Sequence, residues 1–157
     1  MTRDGWVALL RESVEAFNQY RAAHSAEPVD LFEADLAFAR LEGVNLAGAD
    51  LRRCLLEGAN LSGARLDGAR MEFANLRSAT LIGASLRGVN LYGGTFQGAN
   101  LRDATLHGAS FKKVSFCDSD LRGALATGAD FAEADLRWAN FEVDDFADAD
   151  LSSARLR

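Results

Sequence analysis

The sequence predicts an all-β solenoid, a closed coil of short extended pieces with an α-helical cap at its N-terminus. Three observations carry that prediction. A large apolar residue recurs every five positions from Leu31 to Leu156. A small residue, usually Ala, stands two positions before most of these, and the first 28 residues follow a different, helical spacing.

The cap comes first along the chain, in residues 1–28. Between Asp4 and His24 the apolar residues Trp6, Leu10, Val14, Phe17 and Tyr20 are spaced 4, 4, 3 and 3 apart. That spacing puts them on one face of an amphipathic helix, with Asp4 as its N-cap and Pro28 marking its end. The apolar face is read as a lid on the first coil, helped by outward Phe32 and Phe38; a helix that recruits a partner is the alternative.

The coil occupies residues 29–157. Stepping by five from Leu31 visits 26 positions, of which 18 are Leu, six are Phe and one is Met71, with Ala126 the exception. The consensus is A-[DN]-L-x-G, and such self-similarity outranks any local propensity. On an α-helix five residues turn the chain by roughly 500°, so the leucines never form one face. In a straight strand residues five apart point to opposite sides. One geometry keeps every Leu inside: Ala and Leu face inward from a short extended piece, and the chain then turns a corner.

The repeat resembles the pentapeptide-repeat family over about four-fifths of the chain. The resemblance implies a right-handed quadrilateral β-helix, four pentapeptides to a coil. Sorted by twenty, Gly48, Gly68, Gly88, Gly108 and Gly128 fall on one corner, and Gly43, Gly63, Gly83 and Gly123 on the next. The other two corners carry larger residues such as Glu33, Arg53, Phe73, Phe38 and Trp138. This distribution predicts φ > 0 at the glycine corners and a different turn type opposite. At ~4.8 Å per coil, six and a half coils make a rod ~31 Å long.

Coil ends expose unpaired backbone and must be covered. The last coil carries Phe141, Phe146, Leu151 and Leu156, and we expect two chains to pair end to end through it. Dimerisation near the C-terminus is also what the resemblance implies.

Charge is uneven along the rod. Residues 29–50 carry −4 (one base, five acids), residues 51–113 carry +5 (nine bases, four acids), and residues 114–157 carry −6 (four bases, ten acids). Arg52, Arg53, Arg70, Lys112 and Lys113 gather on one side with Phe73 and Tyr92 between them. Such a basic-aromatic strip could meet an acidic partner or single-stranded nucleic acid.

Certain pentapeptide-repeat proteins mimic duplex DNA, bind DNA gyrase and protect it from topoisomerase inhibitors. The resemblance therefore implies a possible acidic surface of Asp130, Asp135, Asp144, Asp145, Asp148 and Asp150. A ~31 Å stretch of duplex carries roughly 18 charges, which one chain does not match. Two copies of residues 114–157 end to end span ~21 Å and bring −12, against roughly 12 for duplex of that length.

The formal net charge of −6 disfavours direct binding of duplex DNA. No apolar run reaches membrane-spanning length and the start has no apolar signal region, so a soluble, cytoplasmic protein is expected. Catalysis finds no support: His24 and His107 are isolated and read as solvated, and Cys54 and Cys117 are too far apart for a bridge. "YGGTFQG" lacks the strand-then-helix setting of a phosphate loop. We expect no metal, no cofactor and no enzyme. Two irregular positions remain: Leu125 is expected to shift inward beside Ala126, and Asp144 stands in an Ala column. The reading that results is a non-catalytic scaffold binding a protein partner through flat outer faces, with gyrase protection as the alternative.

Overall fold

The computed structural model describes residues 1–142 and 146–157. The coil is four-sided: parallel bridges join residues twenty apart, from Asp30 with Asp50 to Asp135 with Arg155. Each side contributes one bridging residue rather than a longer strand. Leu61, Leu81 and Leu101 occupy successive coils at the same register and have no exposed surface.

The five-residue unit is explained by where its backbone N–H groups go. Leu31 N–H donates to Asp50 O (2.8 Å) and Glu33 N–H to Arg52 O (3.0 Å), both in the next coil. Ala34 N–H closes the turn onto Leu31 O (2.9 Å), and Leu55 N–H donates back to Ala34 O (3.0 Å). The N–H after the Leu is left over. Where Asp or Asn stands before the core residue, that side chain takes it: Phe32 N–H donates to Asp30 Oδ1 at 3.0 Å, Ser62 N–H to Asn60 Oδ1 at 3.1 Å, and Arg102 N–H to Asn100 Oδ1 at 3.2 Å. The Asp/Asn column is therefore a ladder of Asx turns, a structural requirement before it is a charge.

The corners differ from the sequence expectation. At every described corner the third turn residue has φ between 54° and 71°, whether it is Gly48, Glu33, Phe73 or Trp138. There is one turn geometry rather than two, because each pentapeptide makes the same bonds. The left-handed conformation costs an ordinary residue ~1–2 kcal/mol, which this frame tolerates at twelve described positions. Two of the corner glycines also face an aromatic ring of the neighbouring coil. A Cβ on Gly58 would stand 2.5 Å from the Phe38 ring, and one on Gly93 would stand 2.7 Å from the Phe73 ring. Phe38 thus lies on the neighbouring coil, 74% exposed, and does not help the lid.

The lid is two helices, where one was expected. Helix α1 (Arg3–Glu12) is N-capped by Thr2, whose Oγ1 accepts from Gly5 N–H at 3.3 Å, and Asp4 lies in its first turn. At Ser13 the backbone is extended (φ −164°, ψ 126°), and its Oγ accepts from Ala16 N–H at 3.2 Å to start α2 (Val14–Ala23). A continuous helix over residues 4–24 would be ~31 Å long, while a five-residue side measures at most ~17 Å. The break lets both halves lie on the square end. Trp6, Leu10 and Phe17 are buried there.

Two irregular core positions resolve simply. Leu125 does not shift inward: it is 46% exposed while Ala126 is buried. Leu125 N–H donates to Ala104 O (2.9 Å) and its carbonyl accepts from Leu106 N–H (2.7 Å), which locks its register. Gly94 stands where the consensus has Ala. Its Cβ would meet Ala74 O and Leu91 Cγ, each at 2.9 Å. Restoring the consensus with Gly94→Ala is therefore expected to destabilise by about 1–3 kcal/mol, read as a lower denaturation midpoint at unchanged slope.

Cys54 is buried, its thiol donates to Leu31 O at 2.8 Å, and burial pushes its pKa up to about 12. Cys117, at an outward position, is nonetheless buried, and both cysteines are free. His107 is half-buried rather than solvated, and His24 stacks on Tyr20 at 4.1 Å. The expectation for Asp144 falls outside the described residues.

Candidate functional site

With its backbone paired internally, the rod presents side chains from the outward columns of each side and from the corners. The twenty-residue register brings Arg52, Arg53, Arg70, Phe73, Tyr92, Lys112 and Lys113 to one side and its adjoining corner. The bases have carboxylate partners. Asp50 takes Arg52 at 2.6 Å and Arg70 at 3.7 Å; Glu33 takes Arg53 at 3.4 Å; Glu133 takes Lys112 and Lys113, each at 3.6 Å.

The Arg52 guanidinium holds the Asp50 carboxyl below its usual range, and Asp50 in turn raises Arg52. Lys113 is raised first by Tyr92 and then by Glu133. Exposed pairs of this kind contribute only ~0–1 kcal/mol each.

The aromatic groups interleave with these charges. Phe73 and Tyr92 meet edge to face at 5.8 Å, Lys113 Nζ lies 5.7 Å from the Tyr92 ring centre, and the Arg52 guanidinium lies 5.3 Å from that of Phe32. Cations of the same chain thus lie against Phe32 and Tyr92, and Phe73 and Tyr92 are engaged with each other. Bases of a single strand stack on free aromatic faces, and among these rings Phe73 is 55% exposed. A shallow cleft of 460 Å³ opens between Phe32 and Phe73, lined also by Arg52, Arg53 and Glu72.

The acidic third is more structural than its charge suggests. Asp130 Oδ1 accepts from Ala132 N–H and Asp150 Oδ1 from Ser152 N–H, both at 2.8 Å. The Ser152 N–H and side chain hold the Asp150 carboxyl below its usual range. Asp135 pairs with Arg137 at 2.7 Å and Arg155 at 3.9 Å, and chiefly Arg137 holds its pKa down at about 2. Asp148 is exposed on a corner; Asp144 and Asp145 lie outside the described residues.

Because its pKa is depressed in the fold, Asp135 stabilises above about pH 4 and loses that contribution as pH falls through about 2. Solvent screening limits the contribution to ~1 kcal/mol. Asp135→Asn is expected to melt below the parent at pH 7, with the gap in Tm closing as pH approaches 2.

At the far end, Phe146 is buried against Phe141 (ring centres 5.1 Å apart), Leu151 is half-buried and Leu156 is 51% exposed. Among the described residues no group of three or more His, Cys, Asp or Glu could hold a metal ion, and no helix is long and apolar enough to cross a membrane.

The model of a family described as "Pentapeptide repeats (8 copies)" matches residues 34–72, 69–108 and 109–142. The chain belongs to the pentapeptide-repeat family. Solved pentapeptide-repeat structures are similar to it. One is HetL, involved in heterocyst differentiation regulation in the cyanobacterium Nostoc sp. strain PCC 7120. It is 31% identical over 81% of this chain and 72% of its own, with a TM-score of 0.45. A pentapeptide repeat protein of the Arabidopsis thaliana thylakoid lumen is 27% identical over 62% and 72%, with a TM-score of 0.50. QnrB1, a plasmid-mediated fluoroquinolone resistance protein, is 20% identical over 82% and 72%, with a TM-score of 0.42. No curated protein matches the sequence.

The strip, the acids and the end residues were all visible in the sequence once sorted by twenty. What it missed was the Asx role of Asp130, Asp135 and Asp150. The signal was there: Asn alternates with Asp in that column, and a charge requirement would not accept Asn.

Proposed function

We propose that this pentapeptide-repeat chain is a non-catalytic scaffold, a right-handed quadrilateral β-helix that binds a protein partner through its flat outer faces in the cytoplasm. One observation carries this reading. The repeat satisfies its backbone with ladder bonds, turns and the Asx column, so the residue after each Leu is left to the surface. On the strip side those positions hold Phe32, Arg52, Tyr92 and Lys112. A rigid face of this kind binds with little rearrangement.

The test is affinity capture with the parent and with a strip variant, Arg53→Glu with Phe73→Ser, both shown to be folded. A partner held by the parent and lost from the variant is expected. The same proteins on both, or on neither, would overturn the reading. The scaffold acts as a homodimer closed through Phe141, Phe146, Leu151 and Leu156, and light scattering should give the mass of two chains.

A second reading is favoured by the −6 on residues 114–157. In that reading the dimer presents this acidic surface to DNA gyrase as a mimic of duplex DNA and protects the enzyme from inhibitors. A supercoiling assay with and without a topoisomerase poison tests it; no inhibition, protection or association removes it.

A further inference from the structure

Three glutamates on the rod bond an Asn of the next coil in the same way. Asn60 Nδ2 donates to Glu42 Oε1 at 2.7 Å, Asn75 Nδ2 to Glu57 Oε2 at 3.4 Å and Asn90 Nδ2 to Glu72 Oε1 at 3.1 Å. Each Asn gives its Oδ1 to its own Asx turn, so the bond uses the amide that the turn leaves over. The glutamates differ in their other oxygen. Glu42 and Glu57 are exposed, and water can satisfy theirs. Glu72 Oε2 is shielded from water and has no hydrogen-bond donor among the described residues. A shielded acceptor without a donor costs free energy until one arrives.

Glu72 lines the 460 Å³ cleft between Phe32 and Phe73. The arginines beside it are already engaged: Arg52 lies against the Phe32 ring and makes a bidentate pair with Asp50, and Arg53 meets Glu33. An acceptor is therefore what the cleft leaves unfilled. Residues 30–33, 50–53 and 70–73, which surround it, hold four acids and three bases, −1 in all, although residues 51–113 as a whole carry +5. The two side chains at the mouth have room to move. Arg53 is 62% exposed, and Phe73 leans over Gly93, away from Phe32, and is 55% exposed.

We propose that this cleft takes an arginine side chain of a protein partner, its guanidinium lying on the Phe73 ring and donating to Glu72 Oε2. Arginine fits on three counts. Its planar cation stacks on an aromatic face, its donors form a rigid fork, and its aliphatic stem suits walls made of phenyl rings. An acidic segment would first have to break an ion pair to find a base here. The inference rests on the reading of the strip as a protein-binding face and adds the chemistry of what that face receives.

The test titrates acetyl-Gly-Arg-Gly-amide into the full chain at low salt and follows the backbone amides by NMR. Lys, citrulline and Glu versions of the peptide and a thymidine oligonucleotide run beside it. The arginine peptide should move the signals of residues 52–53 and 72–73; the lysine peptide should bind more weakly and the citrulline peptide not measurably. Glu72→Gln keeps an oxygen for Asn90 and puts an amide group in place of the free acceptor. It should weaken the arginine peptide by about tenfold or more, while its Tm equals or exceeds that of the parent. Phe73→Ala should weaken the peptide as well, with the rest of the amide spectrum parental.

No movement at those residues with the arginine peptide overturns the proposal, as does equal binding of the citrulline peptide. Movement there with the Glu peptide or the oligonucleotide instead overturns it too. So does a Glu72→Gln variant that melts below the parent, since the carboxylate would then already be satisfied in the free chain. The peptide titration needs no partner from a cell extract, so a failed affinity capture would count against the strip reading alone.

Discussion

Replacing Phe116 by alanine is expected to cost about 3–5 kcal/mol and to open the rod in its middle. Phe96, Phe111, Phe116 and Phe131 are all fully buried, and Phe116 lies 5.2 Å from Phe96, 5.4 Å from Phe111 and 5.5 Å from Phe131 between ring centres. Phe111 also meets the other three, but its approach to Phe96 is longer, at 6.0 Å. Removing Phe116 leaves a cavity in a tube whose backbone is pinned by ladder bonds on four sides, so the site cannot collapse around the loss. In a solenoid each coil contacts only its neighbours, so the damage should be regional. Hydrogen exchange should quicken first across residues 109–136, with the N-terminal coils still protected. A loss below about 1 kcal/mol by chemical denaturation would show that the aromatic stack does not hold this half together.

Trp6→Ala is expected to cost a similar ~3–5 kcal/mol, but at the end of the rod. Trp6 is fully buried and meets Phe17 and Tyr20 edge to face, each at 5.6 Å. Its indole N–H has no hydrogen-bond partner among the described residues, so what is lost is packing rather than a polar contact. The lid should lift and the amides it protects, Asn45 above all, should exchange faster while the centre of the rod keeps its protection. A single unfolding transition at the parental Tm would contradict this.

Comparing the two substitutions separates the two kinds of cohesion in the chain. Phe116 belongs to a stack continued by Phe131 and Phe146 at 5.2 Å, so its loss propagates along the core. Trp6 sits in the lid, which Arg3, Arg11, Arg21 and Asn18 hydrogen-bond to backbone groups of the first coil, Asn45 N–H among them, so its loss stays at that end.

Much of the fold was legible before any coordinates. The five-residue step excluded helix and strand by geometry alone, and every Leu of the series from Leu31 to Leu136 is indeed buried. The four-sided count, carried by the family resemblance, is confirmed by bridges between residues twenty apart. The strip was legible as a set of positions, because register turns sequence spacing into proximity. Its electrostatics were not. Glu33 and Glu133 neutralise Arg53, Lys112 and Lys113 from neighbouring coils, and nothing local to those bases announces it.

The turn types and the lid were misread for related reasons. Glycine frequency suggested two kinds of corner, yet Phe73 and Trp138 hold the same left-handed φ as Gly48 because the coil demands it. The run from Asp4 to His24 has the spacing of one helix. Ser13 breaks it, and its power to cap a second helix is expressed only because the square end is too narrow for the unbroken length.

By itself the sequence determined the interior and the frame: which residues face inward and where each corner falls. Those are requirements of a five-residue unit, met within the unit or by its copies, so repetition writes them out. Only the tertiary structure decided the single turn geometry, the break at Ser13 and the pairing of surface charge. Each of these depends on what lies across a coil boundary or against the end of the rod, where no local pattern records the neighbour.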